Sequence, residues 1–135
     1  MLNKPTILFA LLAVIAPTCA NEKSPLMFDA YQAPEHTKTG FPNPKNIQPK
    51  HSSFAIKYSA FMSSNTGERW AVVTLINEAN GSRTFSNNQI MALFANGERK
   101  LAKPISHSFY ANESQSVAVS FGKNQFPILQ VYVNN

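Results

Sequence analysis

The sequence predicts an all-β protein: a small antiparallel β-sandwich of six or seven strands, Ig-like in the broad sense, preceded by a signal peptide and a Pro-rich extended arm. Three observations carry that expectation. After His51 the apolar residues recur with a period near two, as in strands. Two Asn-Gly dipeptides, Asn80-Gly81 and Asn96-Gly97, interrupt the apolar runs, and Asn-Gly is a strong hairpin-turn signal. Before His51 the chain holds Pro25, Pro34, Pro42, Pro44 and Pro49, which deny it helix and central strand alike. The expected division is 1–20 signal peptide, 21–50 arm and 51–135 folded domain.

The first element is an export signal. Lys4 and the amino terminus give a positive head, and residues 7–16, ILFALLAVIA, are wholly apolar. A run of that length suits a signal-peptide core, whereas a membrane-spanning helix needs about 20 residues. Pro17 breaks the helix, and the small Thr18 and Ala20 fit cleavage after Ala20. Cys19, the single cysteine, then leaves with the signal. The alternative is lipidation at Cys19, but Pro17 and Thr18 fit a lipobox poorly. A chain cleaved after Ala20 has no disulfide or thiol chemistry, so its fold rests on a hydrophobic core. No transmembrane segment is expected after cleavage. Within the arm, PLMFDAY (residues 25–31) is more apolar than a tether requires. It reads either as an edge strand laid on the domain or as a segment that orders on a partner.

The domain's elements follow in order. SFAIKYSAFM places Phe54, Ile56, Tyr58, Ala60 and Met62 on one face by simple alternation. ERWAVVTLINE is apolar on both faces, as in a strand central to a sheet. NQIMALFA and ERKLAK flank Asn96-Gly97, expected as a type I′ turn, and Asn80-Gly81 is expected to turn the chain similarly. SHSFY is a short candidate strand. SQSVAVSF points Val117, Val119 and Phe121 inward, and FPILQVYV closes the chain with Pro127 near its start. A barrel is the alternative arrangement. A Cys…Trp…Cys framework is lacking, so an antibody-type domain is excluded.

Enzymatic chemistry is not expected. Beyond His51 there is no aspartate and no G-x-S-x-G elbow. Glu68 and Glu78 bound one strand and so stand roughly 33 Å apart, too far for a glycosidase pair. His36, His51 and His107 are too scattered for a local metal motif, and no cofactor is expected. A copper carrier using Met62, Met91 and His107 is the third-ranked function, because thioether suits Cu(I). Asn80-Gly81-Ser82 and Asn112-Glu113-Ser114 match the glycosylation acceptor pattern.

What remains is binding. The net charge of +5 favours anionic neighbours; it is too diffuse for nucleic acid, which export also disfavours. Arg99, Lys100 and Lys103 form the densest basic cluster, with Arg83 as a further contributor. Trp70 heads the central strand, either as a core anchor or as a stacking platform for sugar rings. The leading expectation is an exported, non-enzymatic interaction module, periplasmic or secreted, that binds a protein partner in the cell envelope. Inhibitor, immunity, assembly-accessory and adhesin-type roles all fit. The alternative is a binder of anionic envelope polysaccharide.

Overall fold

The computed structural model describes residues 24–30 and 47–135. The expected signal peptide and most of the arm lie outside the described residues. Among the described residues nine strands form: β1 (Leu26–Phe28), β2 (Phe54–Ser64), β3 (Glu68–Asn77), β4 (Arg83–Ser86), β5 (Met91–Phe94), β6 (Arg99–Leu101), β7 (Ser106–Phe109), β8 (Ser114–Lys123) and β9 (Ile128–Tyr132). Among the described residues the sole helical element is a 3-10 turn at Asn87–Gln89. All strand pairs are antiparallel, in a four-stranded sheet β1-β2-β3-β8, a three-stranded sheet β6-β5-β9 and a two-stranded sheet β4-β7. An isolated parallel bridge joins His51 to Asn134.

One buried cluster is shared by all three sheets. Phe61, Ala71, Val73, Leu75, Val117, Val119 and Phe121 come from the four-stranded sheet, Phe85 and Phe109 from the pair, and Ala92, Phe94, Ile128 and Val131 from the triplet. The Phe54 ring meets Phe85 and Phe109 edge-on, with centroids 5.3 and 5.1 Å apart. Such contacts are worth about 0.5–1.5 kcal/mol each beyond area burial. Two-residue alternation aims β8 as expected: Val117, Val119 and Phe121 are buried.

Several local expectations are corrected. Alternation in β2 does not run unbroken, because the register against β3 slips between Ile56 and Tyr58. Lys57 is the extra residue of this bulge. Past it, Tyr58, Ala60 and Met62 pair with Thr74, Val72 and Trp70 on the outer face, while Phe61 opposite Ala71 faces the core. A charged bulge also blunts the part of the β2 edge that β1 leaves open.

The β5–β6 turn is not type I′. Gly97 has φ 85° but Asn96 does not have positive φ. Gly97 N–H donates to the Phe94 carbonyl (2.9 Å), and Phe94 N–H donates to the Glu98 carbonyl (2.9 Å). This is the three-residue loop that ends in a left-handed glycine. Asn80-Gly81 is not a hairpin turn either, since it carries the chain from β3 into the two-stranded sheet. β4 itself has one buried apolar residue, Phe85, and so no alternation by which to recognise it.

The segment PLMFDAY supplies β1, which pairs with the end of β2: Leu26 opposite Ser64, Met27 opposite Ser63 and Phe28 opposite Met62. Asp29 N–H adds a 2.9 Å bond to the Phe61 carbonyl. Residues 47–50 also lie against the folded part. Pro49 is buried, and Lys50 N–H donates to the Asn88 carbonyl at 2.8 Å.

Candidate functional site

Three of the basic residues singled out in the sequence converge on one open cleft. Arg99 and Lys100 come from β6, and Lys103 from the segment after it. They line a space of about 550 Å³ together with Lys123 at the end of β8. Ile47, Met91, Leu101, Pro104 and Phe121 supply its apolar wall. Ile47 and Leu101 are exposed, at 52% and 43% of their surface, so apolar and cationic groups face solvent side by side.

The backbone builds this convergence. Lys103 N–H donates to the Ser120 carbonyl at 2.7 Å, tying the loop after β6 to the edge of β8. The register of β8 against β3 slips between Ser120 and Gly122, and Gly122 takes φ 75°. A Cβ on Gly122 would stand 2.8 Å from Lys103 Cε, so the lysine stem runs across bare backbone. Behind the lining residues Ile47 and Met91, the Tyr132 hydroxyl donates to the Ile47 carbonyl (3.0 Å) and sits 2.8 Å from Met91 Sδ. Burial pushes the Tyr132 phenol above its ordinary pKa, with the Arg99 guanidinium pulling the other way.

The four cations are not equivalent. Lys100 is committed locally: its Nζ lies 3.2 Å from Glu98 Oε1 and 5.6 Å from the Phe94 ring centroid. Glu98 also accepts a 2.8 Å bond from Asn124 Nδ2. Burial raises its carboxyl pKa, but hydrogen bonds from Asn124, Lys100 and Asn96 and the Lys100 charge outweigh it, leaving the pKa below its ordinary value. Among the described residues, no carboxylate lies within ion-pair distance of Arg99, Lys103 or Lys123. Concentrated positive charge beside apolar surface suits an anionic ligand with apolar parts.

The other sequence candidates lie elsewhere. Arg83 is exposed on β4, where its guanidinium donates to the Ser82 carbonyl at 2.9 Å, and it does not line the cleft. Trp70 is outside the core cluster; it is half-buried on the outer face of the four-stranded sheet, between Met62 and Ser120. Met62, Met91 and His107 sit in three different sheets. His107 Nε2 is 2.7 Å from Gln115 Oε1, and its ring meets Phe109 edge-on. No group of three His, Cys, Asp or Glu side chains placed to hold a metal occurs among the described residues.

Sequence reasoning missed Lys123, which is distant along the chain from the cluster it joins. The available signal was Gly122: a glycine inside an alternating strand marks a bulge or a close approach. A second, polar cleft of about 520 Å³ lies between the β2–β3 and β8–β9 turns and shares Lys123. Its cation, Arg69, is consumed by the carbonyls of Asn124 (2.9 Å) and Gln125 (3.1 Å) and by Ser63 Oγ. Arg69 thus ties the two turns together. The chain matches no protein-family model, no curated protein and no solved structure.

Proposed function

We propose that the chain is an exported interaction module of the β-sandwich kind, with the four-stranded sheet forming one layer and the smaller sheets the other. In this reading it binds a protein partner of the cell envelope through the basic cleft. The observation that carries the proposal is the convergence of Arg99, Lys103 and Lys123, free of local carboxylates among the described residues, around the exposed Ile47 and Leu101. An acidic polypeptide segment with an apolar side chain between its carboxylates complements that surface. The polysaccharide alternative calls for an exposed aromatic platform beside the cations. The one aromatic lining the cleft, Phe121, is buried, and Trp70 is not part of it.

The test uses the chain immobilised against envelope extract of its own host, beside a variant carrying Arg99→Ser, Lys103→Ser and Lys123→Ser. A stoichiometric protein partner, captured by the wild type, lost with the triple variant and weakened by salt, is the expected result. Retention of glycan without protein would favour the alternative, and equal capture by both chains would remove the cleft from the interface.

A further inference from the structure

The outer face of the four-stranded sheet is apolar where an antiparallel sheet with one solvated side is ordinarily polar. Ala71, Val73 and Leu75 are fully buried, so their alternating neighbours Trp70, Val72 and Thr74 point the other way. Strand register places these neighbours in three rows: Phe28–Met62–Trp70–Ser120, then Ala60–Val72–Ala118, then Tyr58–Thr74–Ser116. Phe28 and Tyr58 are each 69% exposed, and Met62, Trp70, Val72 and Ala60 are half-buried. A bulky row and a row headed by a tyrosine thus flank a floor of small side chains.

We propose that this face packs against the same face of a second copy, sheet on sheet, to form a two-fold dimer. Three features single out a copy of the chain as the occupant. First, the three rows contain no charged residue, although the chain carries a net +5; face-to-face packing therefore brings no like charges together across the rows. Second, three strands about 4.8 Å apart over three rows about 6.8 Å apart, widened by β1 in the first row alone, present a patch of roughly 330 Å². Counted on both copies with side-chain relief, that gives about 800–1,000 Å² of buried surface, the size of a weak, reversible interface.

Third, the relief is self-complementary. A two-fold axis along the Ala60–Val72–Ala118 row sets Trp70 of each copy over Thr74 of the other, and Tyr58 over Met62. Large side chains then meet smaller or flexible ones, and every contact off the axis occurs twice, as a two-fold interface requires. Residues 31–46 are a poor alternative cover: they include Pro34, Pro42, Pro44, Glu35, Lys38 and Lys45 and few apolar side chains.

Sedimentation velocity of the full chain over a concentration series tests the proposal, read beside the emission of Trp70, the only tryptophan. A monomer–dimer equilibrium is expected, with Trp70 emission shifting to shorter wavelength as the dimer forms. Ala118 is exposed in the single chain and falls on the proposed axis, so Ala118→Glu should leave melting of the dilute protein unchanged. It should weaken the dimer at least tenfold, and mixing with Ala118→Lys should restore a heterodimer. A monomer at every concentration would overturn the proposal, whether its Trp70 emission is exposed or already blue-shifted by residues 31–46. So would a dimer indifferent to Ala118→Glu, or one dissolved by the cleft substitutions.

Discussion

The Lys103 side chain lies across Gly122, its Cε only 2.8 Å from where a Cβ would stand. Gly122 is constrained by φ 75°, whereas the flexible, exposed Lys103 side chain can move aside for a Cβ. Gly122→Ala should destabilise the fold by about 1–3 kcal/mol, because a left-handed L-residue alone costs about 1–2 kcal/mol. It should also displace Lys103 and weaken binding of an acidic polypeptide. Lys103→Ser, at an exposed stem, should leave stability within about 0.5 kcal/mol while weakening the same binding. Urea unfolding and titration with polyglutamate of both variants separate the scaffold from the charge.

Asn77 is the buried polar side chain that organises the β3–β4 crossing. Its Nδ2 donates to the carbonyls of Gly81 and Tyr110, both at 2.9 Å, and its Oδ1 accepts from Ala79 N–H at 3.1 Å. It is wholly buried, so truncation strands those groups away from water. Asn77→Ala should cost about 2–4 kcal/mol, since each buried unsatisfied polar group costs about 1–3 kcal/mol. Denaturant unfolding measures the loss, and faster amide exchange at Ala79 would localise it.

How far the sequence announced this structure depended on how local each determinant is. β3 and β8 were legible because alternation needs only neighbouring residues, and the cluster Arg99, Lys100, Lys103 was legible because it is nearly contiguous. The β2 face was misassigned past Lys57, since the bulge exists only relative to the register of β3. β4 was invisible because its strand state comes from pairing with β7. Lys123 and Ile47 were missed as cleft residues because tertiary packing alone brings them to β6. Trp70 shows a subtler limit: the apolar pattern of β3 foretold a central strand correctly, but not that its second face would stand half-exposed.

Glu98 should make the cleft sensitive to acid. Its pKa is held below the ordinary 4.5 by hydrogen bonds from Asn124, Lys100 and Asn96 together with the Lys100 charge, against the opposing effect of burial. A depressed carboxylate contributes stability that is present above its unfolded pKa and lost as pH falls through the folded value. Glu98→Gln should bind a sulfated polymer, which stays charged throughout, more tightly than wild type at pH 6. The two proteins should converge only as pH falls through the depressed folded pKa of Glu98, below the ordinary 4.5, where the wild-type carboxylate becomes neutral. A constant difference across that range would mean that Glu98 acts through shape rather than charge.

Trp70 and Phe54 should respond differently to truncation. Phe54 is 1% exposed and touches two other rings, so Phe54→Ala should cost about 3–5 kcal/mol at any protein concentration. Trp70 lies half-buried on the outer face, and in dilute protein Trp70→Ala should cost only about 1–2 kcal/mol, the value of partial burial. If the sheet face joins two copies, wild-type stability rises with concentration by mass action. Phe54→Ala keeps the dimer face and should retain that rise, whereas Trp70→Ala should abolish it. Urea midpoints of the three proteins at two concentrations give the comparison. A Trp70→Ala loss as large as that of Phe54→Ala, and independent of concentration, would place the indole in the monomer's own packing and leave the outer face without this role.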